Sequence, residues 1–185
     1  MQAKGDWEAA GTVLAQSAQR LEKAGAGCLL LCTNTMHKLA DRITSASRVP
    51  FLHLADVTAR AILAGGSRRP LLLATRFTME QSFYRDRLAA FGVEAVVPGD
   101  AERAEIHRII YEELCQGRIE TASKARYLGI IAEAAGQGAD GVILGCTEIG
   151  LLISQADTRL PVFDTTALHV EAALDFASNA ESRAA

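Results

Sequence analysis

The chain has 185 residues, 49% of them apolar and 22% charged, with a net charge of −3. That balance is ordinary for a globular protein and gives no electrostatic reason to expect nucleic acid or an anionic membrane as a partner. No apolar run approaches the roughly 20 residues that span a bilayer, and Met1-Gln2-Ala3-Lys4-Gly5-Asp6 leads into no signal-peptide core. The cysteines, Cys28, Cys32, Cys115 and Cys146, are too scattered for a disulfide framework and read as reduced thiols in a cytoplasmic chain.

Asp6 is an N-cap type, and Trp7, Ala10, Leu14, Ala18 and Leu21 recur at helical steps, so a helix is expected from Asp6 to the stop at Gly25 and Gly27. Cys28-Leu29-Leu30-Leu31-Cys32 predicts a buried strand, Thr33-Asn34-Thr35 a polar loop, and Met36 to Ser47 a helix. Val49 to Leu54 predicts a strand opened by Pro50, and Asp56 to Ala64 a helix ended by Gly65-Gly66. Leu71 to Ala74 is the next strand. Thr78 and Gln81 fit a capping box for a helix that ends near Phe91. Glu94 to Val97 forms a short strand before Pro98-Gly99, with helical patterns over Ala101 to Gln116 and Ile119 to Ala135. Gly141 to Gly145 predicts a strand with Cys146-Thr147-Glu148 as its polar exit into a helix. Leu160 to Phe163 is the last strand, Asp164 or Thr165 caps a final helix, and Ser178 to Ala185 offers too little apolar surface to be ordered. This strand–helix alternation predicts an α/β fold with mostly parallel sheet flanked by helices.

Two stretches match. Gly25 to Thr35 lies over Gly138 to Glu148 at an offset of 113, pairing Thr33 with Cys146, Asn34 with Thr147 and Thr35 with Glu148. Val49-Pro50-Phe51 falls near the same offset from Leu160-Pro161-Val162. Any two strand–helix units share some likeness of this kind. The sharper reading is two pseudo-symmetric lobes whose equivalent strand ends face each other across a cleft, where parallel sheets bind ligands. Each loop precedes a helix start, which offers free N–H groups to a carboxylate, and the dipole there lowers the expected pKa of Cys146. Two proton carriers on opposite sides of a bound amino acid are what exchange of a Cα proton between faces requires.

Thr33-Asn34-Thr35-Met36-His37-Lys38 and Gly145-Cys146-Thr147-Glu148-Ile149 resemble the two signature loops of the aspartate/glutamate racemase family. Arg76 to Arg85, Gly5-Asp6-Trp7 and Asp164 to His169 resemble further family segments, so the likeness runs along the whole chain. It implies a cofactor-independent, metal-free racemase of aspartate or glutamate, a two-lobed fold and a homodimer. In lobe terms it implies residues 1–65 plus 160–185 as the first and 66–159 as the second. It places Thr33 and Cys146 as the catalytic pair, where many members have two cysteines, and Asn34, Thr35, Thr147, Glu148 and Gln2 as substrate contacts. A Thr/Cys pair implies unequal rates in the two directions. Family members begin with a further strand, Gly-rich loop and helix. A truncated, non-catalytic relative that binds a small dicarboxylate or only dimerises is therefore the second expectation.

Each residue also has a plainer reading. Cys146 could be a small buried hydrophobe, Thr33, Asn34 and Thr35 helix caps, and Glu148 a dipole-favoured first-turn acid. Cys32 is expected in the core, facing away from Thr33. His107 reads as a solvated helix residue, and His169 as structural or as orienting a group near Cys146. Arg76 reads equally as a carboxylate partner or half of a surface ion pair. Cys28, Cys32 and His37 carry an apolar strand between them and make a poor zinc set.

Overall fold

The computed structural model describes residues 5–184. Gln2, expected at the site, lies outside them.

Helix α1 (Trp7–Lys23) starts where Asp6 accepts the Ala9 N–H on its side chain at 3.1 Å. It buries Ala10, Gly11 and Ala18, whereas Leu21, expected on the core face, is 50% exposed. The predicted strand at Cys28–Cys32 is a single parallel bridge between Leu29 and Phe51. Among the described residues its backbone pairs on one side only, and Leu30 is exposed, so a five-residue ladder does not develop. A 3₁₀ turn (Thr35–Leu39) and the short α2 (Ala40–Thr44) replace the single helix expected there. Helix α3 (Leu54–Ala64) follows, with His53 accepting the Ala55 N–H at Nδ1.

Strands β1 (Leu71–Ala74), β2 (Val142–Gly145) and β3 (Val162–Asp164) form a parallel sheet in the order β1-β2-β3. β1 and β2 are buried throughout, which explains why they read as unbroken apolar runs. The pairs Leu71–Val142 and Val142–Val162 set the register, and a bridge from Leu71 to Val96 extends the other edge of β1. Around the sheet lie α4 (Arg76–Glu80), α5 (Ser82–Ala89), α6 (Asp100–Glu112), α7 (Thr121–Gly136) and α8 (Thr165–Ala184). Helix α8 continues through the tail expected to be disordered. The Thr78–Gln81 capping box does not form: Thr78 lies inside α4, and extended Gln81 separates α4 from α5.

The main core gathers Leu54, Ile62, the strand residues, Ile106, Ile110, Tyr127, Ile130 and Phe163. A smaller cluster of Ala18, Leu29 and Ile43 sits under α1. The internal repeat is a structural one. Leu29 N donates to Pro50 O at 2.8 Å, and at the matching place Val142 N donates to Pro161 O at 2.9 Å. The chain is a two-lobed α/β fold, as the paired motifs predict.

Three histidines tie the first loop to the start of α3. His37 bonds the Thr33 carbonyl through Nδ1 at 2.8 Å and accepts the Leu54 N–H at Nε2 at 3.1 Å. His53 lies 4.7 Å and His169 6.1 Å from it, ring to ring, and His169 Nε2 donates to Leu52 O at 2.8 Å. Burial, and then the neighbouring His53, push the His37 pKa from 6.5 down to about 3. Burial also lowers His53, against the pull of Asp56. An unfolded chain takes up a proton at position 37 below pH 6.5 while the folded chain does not. The stability that neutral His37 contributes is therefore complete above pH 6.5 and lost as pH falls toward 3. Unfolding free energies from urea titrations at pH 7.0 and 5.5 are expected to differ by about 1.3 kcal/mol for His37 alone, the acid side being weaker. A His37→Phe chain that still folds is expected to show a flatter pH profile.

Candidate functional site

The two loops that the repeat singles out border one cavity of about 260 Å³. From the first come Cys32, Thr33, Asn34 and Thr35; from the second Gly145, Cys146, Thr147 and Glu148. Thr75 after β1, and Ile110, Tyr111 and Cys115 at the end of α6 and beyond it, complete the lining. The exit of β2 and the loop that follows the Leu29 bridge, each leading into a 3₁₀ turn, bring their residues to the same space. Gly145 makes that possible at Cys146. A Cβ there would sit 2.9 Å from Leu72 Cδ1 and 3.1 Å from Ala74 Cβ, so the β2 exit packs on β1 only without a side chain.

Asn34 is buried, and its amide orientation follows from the hydrogen-bond network. The Thr165 hydroxyl donates its proton to Leu144 O at 2.8 Å. It can then only accept from Asn34, whose Nδ2 lies 3.1 Å away. Asn34 Oδ1 is left with no hydrogen-bond partner among the described residues. Thr35, also buried, shares a hydroxyl cluster with Thr75 at 3.0 Å and Thr78 at 3.1 Å. That cluster spends the capping capacity of Thr75, which makes no side-chain cap bond at α4. Thr33 is held by its backbone: its N–H donates to Leu31 O at 2.8 Å, and its carbonyl meets His37. Its hydroxyl makes no hydrogen bond among the described residues, and no base lies against it there.

Cys146 departs from expectation. Its thiol donates to Glu148 Oε2 at 2.9 Å, and Thr147 Oγ1 donates to the same oxygen at 2.7 Å. Burial first, then the hydrogen bond and charge of Glu148, push the thiol pKa up rather than down. The anticipated dipole has little to offer, because the turn that follows (Ile149–Leu151) is three residues of 3₁₀ helix. On Glu148, burial acts upward, but the bonds from Cys146 and Thr147 outweigh it and hold the carboxylate lowered. At neutral pH the pair is a thiol on a carboxylate.

Several other residues sit elsewhere than expected. Cys32 is exposed and borders the cavity instead of filling the core, because the chain there is loop and not alternating strand. Arg76 pairs with Glu80 on α4 at 3.4 Å, a surface pair, and does not line the cavity. His107 is not simply solvated. Its ring lies 4.7 Å from Tyr111 and 5.8 Å from Phe77, and Nδ1 accepts the Arg76 N–H. His169 bonds the backbone at Leu52 and makes no hydrogen bond to Cys146. Among the described residues no cluster of ligands suited to a metal ion occurs. Sequence reasoning missed Tyr111, Ile110 and Cys115, which reach the cavity from α6 and the 3₁₀ turn (Leu114–Gln116) after it, segments that carry no motif. It also missed Thr165, whose role shows only once the strands are paired.

The sequence profile of the family described as Asp/Glu/Hydantoin racemase matches residues 1–173. The broad-specificity amino-acid racemase RacX of Bacillus subtilis (strain 168) is 26% identical over 150 residues, 81% of this chain. The match spans 64% of the length of RacX. A crystal structure from Yersinia pestis that carries the Asp/Glu racemase name is 50% identical and superposes with a TM-score of 0.90, covering 95% of this chain and 77% of that one. An aspartate racemase homologue from Pyrococcus horikoshii OT3 is 38% identical with a TM-score of 0.86, covering 96% of this chain and 78% of that one.

The raised thiol has a direct consequence for reactivity. Mass-resolved alkylation with iodoacetamide at pH 8 is expected to label exposed Cys32 and Cys115 well before Cys146. Glu148→Gln removes the charge that favours the protonated thiol, so Cys146 labelling should then accelerate by about tenfold or more, one pKa unit being a factor of ten in thiolate. Unchanged Cys146 labelling in Glu148→Gln contradicts the assigned pairing.

Proposed function

The chain belongs to the Asp/Glu/Hydantoin racemase family, and from that membership we propose that it exchanges the Cα proton of an acidic amino acid, aspartate or glutamate, between the two faces, without a cofactor. The observation that carries this reading is that Thr33 and Cys146, from equivalent places in the two repeats, border one cavity. That cavity is large enough for a small amino acid and is lined by hydroxyls, an amide and two loop backbones.

Each residue then has a chemical part. Asn34 Oδ1, buried and unpaired among the described residues, is an acceptor that a small shift of its loop would offer to the substrate ammonium. The Thr147 hydroxyl and the loop N–H groups receive a carboxylate. Cys146 starts as a thiol, so it must lose its proton before it can take one from Cα. Glu148 is placed at 2.9 Å to accept that proton. The Thr33 hydroxyl gives its proton to the opposite face of the carbanion, and solvent in the cavity carries the proton held by Glu148 back to the Thr33 oxygen, which restores the starting state. Unequal partners make the two directions unequal in rate, as the Thr/Cys pair implies. Thr35 serves indirectly, since its hydroxyl is committed to Thr75 and Thr78.

A second reading has its own support. A thiol that starts protonated and a threonine without a base also suit a relative that binds a small dicarboxylate and does no chemistry. RacX is named for broad specificity, so the amino acids offered in a test should extend beyond the acidic pair.

Deuterium wash-in at Cα of L- and D-aspartate, L- and D-glutamate and a neutral amino acid separates these readings. The expected result is exchange with the acidic pair, a loss of about 10²–10⁴-fold in Cys146→Ser, as removal of a proton carrier gives, and a raised KM in Asn34→Ala. No exchange with any of them, alongside retained binding, leaves the non-catalytic reading in place.

A further inference from the structure

His37 stands behind the first loop of the cavity and has no part in the chemistry assigned above. It is 3% exposed, follows Thr33 by four residues and reaches no solvent through which it could act as a general acid. Both ring nitrogens are used. Nε2 accepts the backbone N–H of Leu54 at 3.1 Å, so Nε2 carries no proton. Nδ1 lies 2.8 Å from the Thr33 carbonyl, which can only accept, so Nδ1 carries the proton. The two bonds together are met by one form of the ring alone: neutral, with hydrogen on Nδ1.

We propose that His37 is a positioning residue for Thr33, clamping the Thr33 carbonyl to the start of α3 so that the Thr33 hydroxyl meets the cavity from an immobile backbone. This rests on the reading of Thr33 as the proton carrier of one face. The clamp closes a short ring of chain, because His37 N also donates to Asn34 O at 3.1 Å. On the other side, the Thr33 N–H is taken by Leu31 O at 2.8 Å. Both backbone polar atoms of Thr33 are thus fixed, and its side chain is the part left to meet a ligand. Leu54, the far anchor, is itself in the main core, so the loop inherits the rigidity of α3. Phe51 at 5.6 Å and His53 at 4.7 Å pack against the ring and keep it from rotating. Burial among these rings also keeps the imidazole neutral through the physiological range. A hydroxyl that must meet one carbon within a fraction of an ångström gains most from such anchoring, since displacement of about 1 Å can cost on the order of 100-fold in rate.

The test uses the full chain and compares the two enantiomers. In His37→Phe, which fills the space but makes neither bond, inversion is expected to fall about 10–100-fold with either enantiomer, since inversion needs Thr33. Cα exchange without inversion of the enantiomer whose proton faces Cys146 needs Cys146 alone and should stay within about twofold. Equal losses of inversion and of that exchange overturn the proposal, because they mark ordinary packing. A second readout needs no variant and no substrate. The side-chain ¹⁵N spectrum of the unaltered chain at pH 7 should show His37 protonated at Nδ1 and bare at Nε2. The opposite tautomer, or a charged ring, overturns the clamp even if His37→Phe fails to fold. Absence of exchange in the unaltered chain with the expected tautomer present defeats the racemase reading instead, and the positioning role with it.

Discussion

The arrangement of the site hangs on the hydroxyl of Thr165. That residue is fully buried at the start of α8, and its one proton goes to the carbonyl of Leu144 in β2. Its lone pair is then free for Asn34 in the first loop, 131 residues away in sequence. A single small side chain therefore ties the carboxyl end of the central strand to the loop of the other repeat. A serine in its place could make the same two bonds; valine could make neither and would leave both the Leu144 carbonyl and the Asn34 amide unpaired in the interior. Each such group costs about 1–3 kcal/mol when stranded. The exit of β2 and the first loop, which border one cavity, are thus joined through that hydroxyl.

Around this tie the interior polar groups divide into two sets with different duties. The hydroxyls of Thr35, Thr75 and Thr78 satisfy one another, and the three histidines satisfy backbone groups at Thr33, Leu52, Leu54 and Ala55. These networks are closed, and a closed buried network makes the local backbone rigid. Cys146, Thr147 and Glu148 form the other set. Two donors converge on one carboxylate oxygen at the cavity wall. Proton position here is set by burial and by a neighbouring charge, both of which a bound ligand alters. Rigid backbone on one side and a movable proton on the other are what proton transfer to and from carbon demands of a protein.

Much of this was legible in the order of residues. The offset of 113 paired Thr33 with Cys146, and the structure repeats the relation down to the bonds from Leu29 to Pro50 and from Val142 to Pro161. Buried strands such as Leu71–Ala74 announce themselves because both faces are apolar. The failures share a cause. Cys28–Cys32 reads as a strand by content, yet a strand needs partners, and its one bridge among the described residues lies 22 residues downstream at Phe51. The expected thiolate at Cys146 rested on a helix dipole, whereas the helix is a three-residue turn and Glu148 is the nearer charge. The histidine cluster joins positions 37, 53 and 169, and the lining at Tyr111 comes from α6. Neither is a local pattern, so neither could be read before the strands were paired.

Asn34 bears on which functional reading deserves preference. A protein that used this fold only to dimerise would have no need of a buried amide whose oxygen finds no partner among the described residues. A leucine of similar size would spare the desolvation and lose nothing but the bond to Thr165. The amide is instead turned, by the direction of the Thr165 hydrogen bond, so that its acceptor is the unpaired end. That oxygen is itself sealed from solvent, so a partner reaches it only when the loop shifts, and the partner must carry an N–H or O–H. The ammonium of the amino acid proposed above has that property and a carboxylate does not.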